Sequence, residues 1–480
     1  MTAQRLPLGL KLAYGFGSVA YGVKNNGFDY FLLLFYSQVI GLDARLVGIA
    51  ITTALVVDAI SDPVVGYWSD NLRSRWGRRH PFMYASLLPV SLSYFLLWNP
   101  PADASQSTLF WYLLSLAVCI RTFITLYETP SSAMGPELTE DYEERSSLLS
   151  FRYYFGWTGG NTMTVLMFFF VFPAMATATV ADGRFNPASY QLLGEVGSAL
   201  IFISILISAM GTHARIPQLK QPPPVRQLTL QRIFQEILQT LANPSFIALF
   251  LASLIGAIAT GFAASLSFYF YTYFWEFTSV ETGIITAGVF LSAIIGFLMA
   301  PIATRRLGKK RGAMIIGLIA FLGAPLPMVL RLFDLIPDNG DPFVFYLVLV
   351  TAVIDVGLII CFQILSSSMM ADLVEQSELK TGRRSEGLFF SAVTFIRKCV
   401  QGVGLMVASL VLYVAEFPTG AGVADVSEAT IWRLGAWYVP TILTLWLTMM
   451  AVMSRYRLSR DEHEDNLRRL AAGKAEPAVH

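Results

Sequence analysis

The sequence predicts an all-α membrane protein of about twelve transmembrane helices arranged in two six-helix bundles. Three observations carry that expectation: apolar dominance, long charge-free blocks, and basic residues gathered in alternate loops. Of the 480 residues, 55% are apolar and only 14% charged. A soluble domain of this length covers its surface with roughly 25% charged residues. Residues 82–98 and 313–330 contain no Asp, Glu, Lys or Arg, and blocks of about 18 to 25 apolar residues are long enough to span a bilayer.

Apolar blocks set against polar breaks give spans near 10–38, 45–69, 81–99, 107–132, 148–178, 192–211, 244–276, 280–303, 313–333, 343–371, 385–416 and 430–454. The stretch at 10–38 is interrupted by Gly15, Gly17, Gly22, Lys24 and Asn25, and reads as a retained first span, not a cleavable signal. Arg73, Arg75, Arg78 and Arg79 crowd the second loop, and Arg305, Arg306, Lys309, Lys310 and Arg311 the eighth. By the positive-inside rule both termini are cytoplasmic, in what reads as a bacterial inner membrane.

Pro222, Pro223 and Pro224 break the chain between spans six and seven. Beyond them Leu230, Ile233, Phe234, Ile237, Leu238 and Leu241 fall on one face of an amphipathic interfacial helix. The expected organisation is an N-terminal bundle over 1–212, a cytoplasmic linker over 213–243, a C-terminal bundle over 244–454 and a tail over 455–480. The halves echo each other. Arg75-Trp76-Gly77-Arg78-Arg79 is answered by Arg306-Leu307-Gly308-Lys309-Lys310, and Glu137-Leu138-Thr139-Glu140 by Asp372-Leu373-Val374-Glu375. Two ordered matches at nearly equal offset indicate two six-span repeats.

Composition also excludes. A net charge of +1 gives no reason to expect nucleic acid. Cys119, Cys361 and Cys399 sit apart in apolar segments and read as small core fillers. No metalloprotease spacing, nucleophile elbow or phosphate loop is present, so an enzyme is not expected. No cofactor is expected beyond a coupling cation, Na+ or H+. The expected partners are a small-molecule solute, a monovalent cation and membrane lipid, with the chain acting as a monomer.

Ionisable residues inside spans are functional candidates because burying charge in a bilayer is costly. Asp58 and Asp62 lie four residues apart on one helical face. At about 1.5 Å per residue they sit roughly 16 Å and 10 Å inside the second span. Adjacent carboxylates repel unless a cation or proton lies between them, and oxygen ligands suit a hard cation. With the repeat aligned on Gly77 and Gly308, they map to Val289 and Ala293, so only the first half carries them. The alternative is that each pairs with an arginine as a structural clamp. In the fourth span Thr125 and Glu128 complete an oxygen shell, or else Glu128 pairs with Arg121 or Arg152. Lys24, Asn25, Asn26 and Asp29 make a polar, substrate-facing cluster in the first span. Arg397 and Lys398 lie near mid-depth in the eleventh, where one offsets buried carboxylate charge. Asp355 and Gln363 are lesser candidates in the tenth.

These residues resemble the glycoside–pentoside–hexuronide:cation symporters, the major-facilitator branch that contains the melibiose permease. The resemblance spans nearly the whole chain. It rests on Tyr14-Gly15-Phe16-Gly17, Asp58-Ala59-Ile60-Ser61-Asp62-Pro63, Arg73-Ser74-Arg75-Trp76-Gly77-Arg78-Arg79 and Lys380-Thr381-Gly382-Arg383-Arg384-Ser385-Glu386-Gly387. It implies the major-facilitator fold, cation binding at Asp58, Asp62, Thr125 and Glu128, and substrate binding near Arg152 and Lys398. Coupling or gating is expected at Arg75, Arg78, Arg79, Glu137, Arg383 and Arg384. Two departures touch the sugar. The family's first-span lysine–aspartate pair falls on Tyr21 and Gly22, and its fourth-span tryptophan on Ser132. The expected function is cation-coupled symport of a small solute, a sugar or glycoside first. A lysolipid is the alternative substrate, and a non-transporting sensor the third reading.

Overall fold

A computed structural model describes residues 6–139, 142–219, 244–381, 400 and 402–456, and all regular structure among them is helical. The helices are α1 (Leu8–Phe16), α2 (Val19–Asn26), α3 (Ala44–Asn71), α4 (His80–Leu97), α5 (Gln106–Leu138), α6 (Tyr142–Leu166), α7 (Pro187–His213), α8 (Pro244–Tyr269), α9 (Ser279–Leu307), α10 (Lys309–Gly323), α11 (Leu326–Leu332), α12 (Pro342–Thr381), α13 (Gly402–Val414) and α14 (Glu428–Met453). Among the described residues, nine helices are long and apolar enough to cross a membrane. Each of the twelve expected spans nevertheless contains helix. The first is divided into short pieces, and only 400 and 402–416 of the eleventh are described.

The first span carries glycines where neighbouring helices come closest. A Cβ on Gly17 would collide with Tyr127 and one on Gly22 with the carbonyl of Gly156, while one on Gly160 would lie 2.5 Å from the carbonyl of Gly22. Small residues let membrane helices approach backbone to backbone, and here they seat α2 against α6. The span then continues through two π turns, Gly27–Phe31 and Phe35–Val39, which carry Asp29 and Gln38. Such turns insert one residue into a helix and often mark functional positions.

By internal contacts the chain divides into two compact units. The first comprises Met1–Arg226, Gly261–Thr286 and Gln401–Leu434; the second comprises Gln227–Thr260, Ala287–Val400 and Gly435–His480. In the first unit, one end is filled by rings. Phe31 packs against Phe168, Phe172, Tyr190 and Phe268, and Phe35 stacks on Tyr190 with centroids 4.6 Å apart. Hydrogen bonds surround them: Gln38 Nε2 donates to Tyr269 Oη at 3.3 Å, and Arg184 Nη1 to Thr272 Oγ1 at 3.0 Å. In the second unit, Phe321 stacks on Trp446 at 4.2 Å, and Asp355 is buried against Gly323.

The repeat is written in the backbone. Helices α3 and α9 begin 235 residues apart (279 − 44), as do the π turns Phe35–Val39 and Phe270–Phe274 (270 − 35). Gly77 and Gly308 both adopt positive φ, 70° and 76°, the left-handed region that favours glycine. In the register set by the helix starts, Asp58 and Asp62 match Ala293 and Phe297, not the Val289 and Ala293 expected from the glycines. The four-residue difference is absorbed between the helix starts and the glycine turns. Neither register supplies a carboxylate in the second half.

Candidate cation and substrate site

Helix α3 packs along α5, and the expected carboxylate pair meets the expected threonine there. Thr125 Oγ1 lies 3.0 Å from Asp58 Oδ1, 3.0 Å from Asp62 Oδ1 and 3.0 Å from the carbonyl oxygen of Arg121. Asp58 and Thr125 are almost wholly buried, 2% and 1% exposed, while Asp62 is half-buried. A hydroxyl has one proton to give, so it can satisfy one of these three oxygens and not all. Pro63 lacks an N–H, which leaves the carbonyl of Ala59, next to Asp58, without its helical donor.

The cluster's own cation is Arg121, one turn before Thr125. Its Nη1 lies 3.3 Å from Asp58 Oδ2, and the guanidinium sits 4.8 Å from the centre of the Phe28 ring. The sequence offers Arg121 as one of two partners for Glu128 and an unspecified arginine as the alternative partner of Asp58; Arg121 is the arginine beside Asp58. The signal was present: residues 121, 125 and 128 share one helical face. Glu128 is half-buried, and its carboxylate makes no hydrogen bond or ion pair with any described residue.

Arg152 does something else. Its Nη1 donates to Ser131 Oγ at 3.1 Å, and its Nη2 to Ser132 Oγ at 2.6 Å and to the carbonyl of Glu128 at 3.3 Å. Tyr14 and Tyr21 flank its guanidinium. Ser132, where the family's tryptophan is missing, is thus an arginine ligand. Gly22, where the sugar-binding aspartate is missing, is a helix crossing point with no room for a side chain.

The residues of the first-span cluster have separate surroundings. Asp29 lines a narrow cavity with Phe28, Ile51, Leu55, Arg121 and Ser265. Lys24 is buried, and both it and Arg121 lie within electrostatic reach of Asp29. Asn26 Nδ2 donates to Thr164 Oγ1 at 3.1 Å, a helix-to-helix tie, and Asn25 is exposed.

At the start of α4, Arg78 and Arg79 converge on Glu137 at the end of α5, at 2.6 and 2.5 Å, and Arg79 also meets Asp70 at 3.0 Å. Arg75 stays outside this knot, exposed beside Trp76. Lys398, Arg383, Arg384, the amphipathic stretch over 230–241 and the tail beyond 456 lie outside the described residues. Of the lesser candidates, Gln363 is exposed.

Long apolar helices with an acidic, threonine-bridged cluster between two of them are the pattern of a polytopic membrane protein. The chain belongs to the MFS/sugar transport protein family, whose profile matches residues 13–460. It is 24% identical to an uncharacterized symporter of Synechocystis sp., covering 98% of each chain. It is 23% identical to the isoprimeverose transporter of Lactiplantibacillus pentosus, over 88% of this chain and 84% of that one. It is 25% identical to the sodium-dependent lysophosphatidylcholine symporter 1 of Gallus gallus, over 89% and 82%. Its backbone matches the nucleoside transporter NupG with a TM-score of 0.61 at 14% identity, covering 93% of this chain and all of the other. The fold is that of the major facilitator superfamily, and the protein is an integral membrane secondary transporter.

Proposed function

We propose that the protein is a cation symporter in which Asp58, Asp62 and Thr125 bind one Na+ or H+, and a sugar or glycoside is the co-transported solute. The observation that carries this reading is three oxygens gathered 3.0 Å from one hydroxyl that has a single proton. Adjacent carboxylates repel each other, and one monovalent cation or proton between them offsets that repulsion. Glu128 stands one turn further on the same face and extends the oxygen set. Loading the cation relieves carboxylate repulsion and preorganises the substrate cavity, so the two affinities are reciprocally linked.

For the solute, the cavity offers an acceptor in Asp29, donors in Arg121 and Ser265, and the Phe28 ring. Hydroxyl groups, which both donate and accept, match that set. A lysolipid is the second reading, favoured by the aliphatic part of the lining (Ile51, Leu55, Leu405) and by a relative of that name. The two bundles divided near 213–243, cytoplasmic termini, a bacterial inner membrane and monomeric action complete the proposal.

The test is uptake into proteoliposomes with Na+ and pH gradients imposed separately. Gradient-driven uptake that is lost in Asp58→Asn and Asp62→Asn supports coupling; gradient-independent uptake, or unchanged coupling in both variants, refutes it. Labelled lysolipid uptake that excess sugar does not compete away would transfer the assignment to the second substrate.

A further inference from the structure

Arg121 is poorly satisfied for so deeply placed a charge. It is 5% exposed, yet among the described residues its guanidinium makes one hydrogen bond, of 3.3 Å to Asp58. A guanidinium has five N–H donors in a rigid fork. Its Nε–H is buried with no hydrogen-bond partner among the described residues. Arginine–carboxylate pairs are frequently bidentate, and this contact is single and long. The same side chain lines the narrow cavity that also holds Asp29, and it already leans over Phe28, the residue before Asp29 in the chain.

We propose that Arg121 is a tethered counter-cation that competes with Na+ for Asp58. Without Na+, the guanidinium offsets the Asp58 charge. When Na+ enters between Asp58 and Asp62, the guanidinium turns into the cavity and pairs with Asp29. The exchange also links the ligands, because Arg121 then presents its fork in the cavity where solute binds only after the cation has bound. This inference rests on the cation reading above and assigns that site an internal competitor.

The experiment uses the full chain in detergent, titrated with NaCl against choline chloride at constant ionic strength and pH, with the unfolding midpoint as readout. Arg121→Met should tighten apparent Na+ affinity by about tenfold or more, since a positive charge beside the site has gone. Arg121→Lys keeps the charge and should stay within about threefold of wild type. Asp29→Asn should act in the opposite direction, weakening Na+ binding by removing the place to which the guanidinium moves. In the Arg121→Met background, Asp29→Asn should then have no effect. Unchanged or weakened Na+ affinity in folded, monodisperse Arg121→Met overturns the proposal and leaves Arg121 as a structural partner of Asp58. An Asp29→Asn effect that persists without Arg121 overturns it also. Wild-type protein that Na+ does not stabilise refutes it as well, while gradient-driven uptake decides coupling separately.

Discussion

Arg79 Nη2 stands 2.5 Å from Glu137 Oε1, tying the start of α4 to the end of α5. Arg78 uses the same oxygen, and Glu137 Oε2 is buried without a hydrogen-bond partner among the described residues. Two buried guanidinium groups thus depend on one carboxylate, with Asp70 as Arg79's second partner. Breaking a buried ion pair from one side costs about 3 to 5 kcal/mol, because the abandoned charge stays buried. Glu137→Ala should therefore lower the unfolding midpoint strongly, near the upper part of that range. Asp70→Ala, whose carboxylate is half exposed, should cost about 1 kcal/mol or less. Thermal unfolding of the purified variants checks both values.

Thr125→Val keeps the shape of the side chain and deletes the hydroxyl between Asp58 and Asp62. Leaving a buried polar group without its partner costs about 1 to 3 kcal/mol. Apparent cation affinity should fall by about tenfold or more, as read from cation-stimulated uptake. Thr125→Ser restores the oxygen and should recover most of the loss. If Val and Ser behave alike, the hydroxyl is not part of the cation site.

Arg152→Lys preserves charge but not reach. The guanidinium contacts Ser131, Ser132 and the Glu128 carbonyl at once, and a single ammonium group cannot reproduce that fork. A stability loss of about 1 to 2 kcal/mol is expected. Ser132→Ala in the Lys background should add little, since the bond it removes is already lost. A double-mutant cycle on unfolding midpoints measures that coupling.

Gly22→Ala introduces a methyl group against the Gly156 carbonyl. Overpacking of this kind costs about 1 to 3 kcal/mol, and backbone on both sides prevents easy relief. Gly9→Ala, with open space around it, serves as the control and should be neutral or slightly stabilising through helix propensity. Gly22→Asp, which restores the family's acidic residue, should destabilise more than Gly22→Ala and should not improve sugar binding.

The parts of the fold that could be read in the sequence are those fixed by local composition. Span positions followed from apolar blocks, and the repeat from Gly77 and Gly308, whose left-handed backbone only glycine enters easily. Asp58, Asp62 and Thr125 were legible because a charge in a span demands a partner, and four-residue spacing selects the face. That Arg121 is the arginine beside Asp58 was not legible, because helical periodicity says which face a residue occupies, not which neighbouring helix that face meets. Asn25 and Asn26 looked alike in sequence, yet one is exposed and the other bonds Thr164, a distinction made by the packing of α6. The interrupted first span was also hidden, since a π turn needs one extra residue and no particular residue type.

The π turns at Phe35–Val39 and Phe270–Phe274 occupy equivalent places in the two halves, and Gln38 and Tyr273 within them both hold Ala421, through its N–H and its carbonyl. One backbone position is therefore pinned from two π turns at once, on its N–H side by Gln38 and on its carbonyl side by Tyr273, so a shift in either turn is passed to the same point of the chain.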